Sequence, residues 1–153
     1  MDFLVKLYAL PESIEKRIEG VSVRRAFAAE KHLVVEFVAR SFSAGWASEC
    51  GISFARLPVA CFVAMAGNTI CGFACYDATT RGFFGPIGVA PQWRHRGIGS
   101  TLLLSALHDM RANGYGYAII GAASDGKLYR AVGAVEIAGS SPGFYSGLLK
   151  TAD

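Results

Sequence analysis

An α/β (α+β) domain carrying a mixed, mostly antiparallel sheet is predicted by three stretches of this 153-residue chain. In residues 59–76, two strand-like apolar runs flank Gly67-Asn68, a pair typical of two-residue hairpin turns. In residues 83–110, a strand (83–89) leads through the basic turn Arg94-His95-Arg96-Gly97-Ile98-Gly99 into a helix whose Leu102, Leu103, Ala106, Leu107 and Met110 recur at helical spacing. Residues 115–122, YGYAIIGA, are short and apolar as a buried strand should be. A strand–helix–strand crossover makes this strand parallel to 83–89, so the sheet is mixed.

The remaining elements follow in chain order. Residues 1–10 suggest a strand ended by Pro11, part of a 1–20 N-terminal extension, and residues 12–17 are a charged stretch of one or two helical turns or a linker. Val21 and Val23 alternate with Ser22 and Arg24, which predicts a strand. Leu33, Phe37 and Val38, with Val34 and Phe42, predict a helix over 30–42. A break at Ser43-Ala44-Gly45 precedes a second short helix over 46–54. Pro91 breaks the strand before the basic turn, and Asn113-Gly114 ends the long helix. Ser124-Asp125-Gly126 introduces a short helix over 127–132, stopped by Gly133. Residues 134–137 and 144–149 are expected to close the domain as an antiparallel pair joined by the 139–143 turn. Neither an internal repeat nor an interdomain linker is visible, and the whole of 1–153 reads as one domain, able to bury about 70% of its unfolded surface.

Composition excludes several classes. The chain is 52% hydrophobic and 18% charged, yet no run reaches the roughly 20 apolar residues that span a bilayer. The N-terminal residues lack a basic segment, apolar run and cleavage site, so a cytoplasmic protein is expected. A net charge of +3 without a continuous basic stripe argues against nucleic acid, although Arg24, Arg25, Arg94 and Arg96 on one face would be needed for that reading. Cys50, Cys61, Cys71 and Cys75 fit no zinc or redox spacing, so free buried thiols and no metal are expected.

The stretch that carries chemistry is the turn before the long helix. The first N–H groups of a helix have no intrahelical acceptor, and with glycines for close approach and arginines for charge they make an anion site. Pro86 and Gly88 are poor residues for a regular strand and suggest a bulge that splays 83–89 from 115–122. A dinucleotide fold would want Gly-x-Gly-x-x-Gly with an acidic residue about 20 positions on, and neither is present.

The pattern Arg94-x-x-Gly97-x-Gly99, preceded by Ile87-Gly88-Val89-x-Pro91, resembles the coenzyme A motif of the GNAT superfamily of acyl-CoA-dependent N-acyltransferases. Leu128-Tyr129-Arg130-x-x-Gly133 is similar to that family's later aromatic element, and the two motifs together span about a third of the chain. The resemblance implies a central parallel strand pair splayed at the cofactor cleft and flanked by helices. It implies acetyl-CoA as acyl donor: Ile87, Gly88 and Val89 against pantetheine, and Arg94, His95, Arg96, Gly97, Ile98, Gly99 and Ser100 around the pyrophosphate. Tyr129 would be the catalytic acid, and Trp46 and Glu49 would belong to the acceptor wall.

Acyl transfer to an amine needs a neutral amine, donors for the developing oxyanion and a proton for the departing thiolate. The base stays open between Glu49, Asp77, ordered water and an already neutral amine, since Phe83-Phe84-Gly85-Pro86 stands where many relatives carry a strand carboxylate. Ala122 replaces an asparagine common seven residues before the tyrosine. The expected function is N-acetyl transfer from acetyl-CoA to a primary amine of a small molecule or peptide, with a non-catalytic coenzyme A-binding module as the alternative. An apolar N-terminal strand could pair across a homodimer interface.

Overall fold

The computed structural model describes residues 1–12 and 18–152. Seven strands, β1 (Phe3–Lys6), β2 (Ser22–Arg25), β3 (Cys61–Ala66), β4 (Thr69–Tyr76), β5 (Phe83–Val89), β6 (Tyr117–Ile120) and β7 (Val135–Glu136), form one sheet in the order β2-β3-β4-β5-β6-β1-β7. Every neighbouring pair is antiparallel except β5 and β6. The helices are α1 (Lys31–Ser41), α2 (Ala44–Ile52), α3 (Ile98–Ala112) and α4 (Lys127–Arg130).

Alternation along the strands divides the core in two. Phe62, Ala64, Ala74, Tyr76 and Phe84 pack with α3, whereas Cys61, Val63, Phe73 and Cys75 pack with α1 and α2. Ala66 pairs with Thr69, so Gly67-Asn68 is the two-residue connection that its sequence predicts. Leu102, Leu103, Ala106, Leu107 and Met110 are all 0% exposed, and at about 1.5–3 kcal/mol for each large side chain this stripe anchors α3. A polar lock adds direction: Asp109 of α3 accepts from Arg25 of β2 at 2.6 Å and from Tyr76 of β4 at 2.6 Å.

The two ends of the chain depart from expectation. β1 lies inside the sheet, pairing Phe3 with Ile120 on one side and with Glu136 on the other. Its alternating Phe3 and Val5 are buried, and it pairs with β6 along its whole length and with β7 at Phe3 and Leu4. The N-terminal strand is thus an integral part of the domain. The expected antiparallel pair of 134–137 with 144–149 does not form: β7 pairs with β1, and residues 144–147 form a turn, with positive φ at Gly147 and at Gly143 just before it.

Between α1 and α2 the expected three-residue break shrinks to a cap. Ser43 accepts from the Trp46 N–H at 3.1 Å, a good N-cap that starts α2 at Ala44. The charged 12–17 stretch lies, apart from Glu12, outside the described residues.

Candidate active site

A cleft opens where β5 and β6 separate. Their parallel ladder holds only at Phe83↔Ile119 and Phe84↔Ile120. Beyond it Ile87, Gly88 and Val89 pair with Ala74, Phe73 and Gly72 of β4 but have no ladder partner on the β6 side. Between those stretches β5 carries one more residue than β4, because Ala74 to Tyr76 faces Ile87 to Phe84. The bulge therefore falls at Gly85-Pro86, where Pro86 has no N–H to donate and Gly85 takes φ +119°. Gly88 was expected to share in the bulge, and its register is regular instead. What it supplies is space: a Cβ at Gly88 would run into the ring of Phe42.

The anion cradle sits at the open end. Gly97 caps α3 with φ +87°, a conformation L side chains resist, and it aims the helix start at the cleft. The first intrahelical bond is Thr101 N–H to Gly97 O at 3.1 Å, which leaves the N–H groups of Ile98, Gly99 and Ser100 without an intrahelical acceptor. Ile98 is 1% exposed, so its side chain is core. Arg94, His95, Arg96 and Ser100 are exposed. Arg94 Nε is tied to Val89 O at 3.0 Å, and Arg96 lies over the Trp93 ring at 4.7 Å, so both guanidiniums are held beside the turn. His95 contributes a φ of +62° to the turn. These groups fit a pyrophosphate: backbone donors at a helix N-terminus, two cations and, among the described residues, no carboxylate hydrogen-bonded to either arginine.

Tyr129 stands on α4, with its ring 6.1 Å from Phe3 and 6.4 Å from Phe84. Its helix faces the cradle, since Leu128 Cδ2 would lie 3.9 Å from a Cβ on Gly99. Burial, with a contribution from the Asp125 carboxylate, pushes the Tyr129 phenol up, so it keeps its proton at neutral pH. Gly133, at φ +81°, turns the chain so that the Ala134 N–H bonds back to Tyr129 O at 3.1 Å. Ala122, in the place of the expected asparagine, takes φ +52° and donates its N–H to Asp2 Oδ1 at 2.9 Å, so β1 holds the rim of the cleft at this point.

The other three expected residues separate. Trp46 and Glu49 lie together on α2, and Trp46 is 5.5 Å from Phe42, the ring seated on Gly88. Glu49 Oε1 accepts from Tyr145 at 2.6 Å, and Tyr145 is also 3.2 Å from Thr79 Oγ1. Asp77 is occupied elsewhere: it accepts from Gly82 N–H at 2.7 Å and Tyr115 at 2.6 Å, and pairs with Arg56 at 3.4 Å. That makes it a turn anchor next to the end of α3. Sequence reasoning missed Phe42, Tyr145 and Asp2, and only Phe42 left a local signal, in its helical spacing with Val38. Phe144 packs 5.1 Å from Phe83, which brings the C-terminal segment over the start of β5. A surface cavity of about 490 Å³ lies apart from this cleft, between α1 and the β3–β4 hairpin. Arg24 and Arg25 are likewise taken up, by Glu30 at 2.7 Å and Asp109 at 2.6 Å.

The structural neighbours share this frame. The GCN5-related glucosamine N-acetyltransferase region of a fungal multidomain GH3 β-N-acetylglucosaminidase superposes with a TM-score of 0.70 at 17% identity, over 88% of this chain and 19% of that one. A GCN5-related N-acetyltransferase from Sphaerobacter thermophilus gives 0.65 at 20% identity, over 88% and 47%. A polyamine N-acetyltransferase of Drosophila melanogaster, which catalyses the formation of N-acetylagmatine, gives 0.61 at 14% identity, over 74% and 82%. The chain thus spans under half of the first two structures. No functionally curated protein matches it at the sequence level. The model of the acetyltransferase (GNAT) family matches residues 18–134, which include the splayed strands, the cradle and Tyr129, and the chain belongs to that family.

Proposed function

We propose that this protein transfers an acetyl group from acetyl-CoA to a primary amine of a small molecule or peptide. The observation that carries the reading is the set of N–H groups of Ile98, Gly99 and Ser100 without an intrahelical acceptor at the mouth of the β5–β6 splay, beside the short helix that carries Tyr129. The donor, when bound, supplies a thioester carbonyl open to attack by the amine.

Under this reading the residues divide the work. The cradle and its two arginines bind the pyrophosphate, and the free edge of Ile87–Val89 orients the pantetheine arm. Tyr129 holds a proton for the departing thiolate. A free phenol near pKa 10 is a weaker acid than a thiol near 8.5, and burial widens that gap, so the transfer is uphill by at least about 2 kcal/mol and depends on placement within the barrier step. Trp46, Phe42 and Glu49 with Tyr145 line the acceptor side, where an anionic and aromatic wall suits an ammonium group. Glucosamine and agmatine, named for two structural neighbours, are both primary amines, which supports that acceptor class.

Two measurements test the reading. Coenzyme A or acetyl-CoA should raise the thermal midpoint, with about 2.7 kcal/mol of stabilisation at 100 times Kd, while NAD and ATP do much less. An amine panel with acetyl-CoA, followed by thiol release, should then show turnover. Equal shifts with all nucleotides defeat the cofactor assignment, and binding without turnover on any amine favours the non-catalytic module.

A further inference from the structure

A second constellation lies beneath α2, on the side of the sheet away from α3. Cys61 of β3 and Cys75 of β4 are register partners, and Cys50 of α2 comes down onto the same core. Their three Sγ atoms all lie within 4.8 Å of one another, and each residue is 0% exposed. A fourth donor sits beside them: Ser53, 1% exposed, places Oγ 3.5 Å from Cys75 Sγ. Val59, Val63, Phe73 and Ala78 form the apolar surroundings and offer no side-chain polar partner. The fourth cysteine, Cys71, belongs to the opposite core.

We propose that Cys50, Cys61 and Cys75, with Ser53 as fourth donor, hold a single thiophilic d10 ion, zinc or copper(I), in a closed structural site. Three mutually close sulfurs with an oxygen beside one of them match the donor set of the closed four-coordinate sites zinc prefers, and sulfur ligands equally select copper(I). With a metal–sulfur distance of about 2.3 Å, a tetrahedron has sulfur–sulfur edges of about 3.8 Å, so the side chains need to close by about 1 Å at most. The sulfur–oxygen edge of such a site is about 3.5 Å, the separation Ser53 and Cys75 already have. Binding forms metal–sulfur bonds as the coordinating thiols release their protons to solvent. The ion joins α2 to the β3–β4 hairpin and so fixes the helix that carries Trp46 and Glu49.

The test uses the reduced, metal-free full chain under anaerobic conditions. Cobalt(II) should saturate at one ion per chain with sulfur-to-cobalt charge-transfer absorption. Zinc should displace it with release of protons, and a copper(I) arm, run against a chromogenic chelator, decides which ion binds tighter. Cys71→Ala should leave binding intact. Cys50→Ala, Cys61→Ala and Cys75→Ala should abolish the charge-transfer band, and Ser53→Ala should weaken affinity by about tenfold or more. Circular dichroism separates loss of the site from loss of fold, and a thermal midpoint raised by the ion in wild type and Cys71→Ala alone gives a second readout. The proposal is overturned by absence of saturable binding by either ion, by binding that survives all three alanine variants, or by protein that emerges with two of its four thiols already joined as a disulfide.

Discussion

The two sides of the cleft, one proposed to take the cofactor and the other the acceptor, are built by different means. At the turn before α3 the groups proposed to meet the ligand are backbone N–H groups, set by one glycine at φ +87° and by the start of a helix. Across β5 the corresponding surface is made of side chains from α1, α2 and the C-terminal segment, among them Phe42, Trp46, Glu49 and Tyr145. A backbone site needs only a local pattern. A side-chain site depends on which distant segments meet, and can be rebuilt without disturbing the first.

The sharpest way to break this division is chemical. Tyr129→Phe retains the ring between Phe3 and Phe84 and removes the hydroxyl. A positioned acid contributes about 10²–10⁴-fold, so the single-turnover rate at saturating acetyl-CoA should fall by that range with coenzyme A affinity and thermal midpoint little changed. An unchanged rate would reduce Tyr129 to packing.

Next in size is the backbone site itself. Gly97→Val puts a β-branched residue at φ +87°, at a stability cost of about 1–2 kcal/mol or more, and it should weaken coenzyme A binding at least about tenfold while circular dichroism shows an intact fold. Wild-type affinity in this variant would show that the cradle lies elsewhere.

On the acceptor side, Gly88→Ala drives a methyl into Phe42 and should cost about 1–3 kcal/mol of stability by overpacking. Adding Phe42→Ala should recover part of that loss, and a purely additive double variant in thermal unfolding would mean that the two do not touch.

Smallest is Tyr145→Phe. It removes one hydrogen bond to Glu49 and should raise KM for the amine several-fold, within about 2 kcal/mol, leaving coenzyme A affinity alone. Alkaline pH gives the same contact a second test. Burial and the Glu49 hydrogen bond push the Tyr145 phenol up to about 12, so the folded state keeps this proton when the unfolded chain has lost it. The stability it contributes is complete below about pH 10 and should drain away as pH rises toward 12, an effect absent from Tyr145→Phe.

What the sequence disclosed follows the same line. The hairpin at Gly67-Asn68, the bounds of β5 at Phe83–Val89 and the α3 stripe are all local patterns, and they appear where expected, although α3 begins at Ile98, inside the expected turn. Gly85-Pro86, rather than Gly88, bends β5, because only proline withholds a donor from the ladder. Asp77 looked free and is consumed by Tyr115, Gly82 and Arg56. The contact of Tyr145 with Glu49, the meeting of Cys50 with Cys61 and Cys75, and the seat of β1 join segments whose spacing along the chain carries no signal. The central strands β3 and β4 are apolar on both faces, so the sequence shows no alternation there and does not say which helix covers which face.

The seat of β1 also sets an order on synthesis. Asp2 grips Ala122 from 120 residues away and Ser140 from 138, so β1, which precedes the other strands of its sheet along the chain, has no partner on a ribosome until nearly the whole sheet has followed. At 5–20 residues per second that wait lasts about 6–25 s, during which Phe3, Val5 and Leu7 have no core to enter. The rim of the cleft at Ala122 is then among the last parts to be completed, and an obstacle that delays β1 postpones the assembled site without hindering the β3–β4–β5 meander.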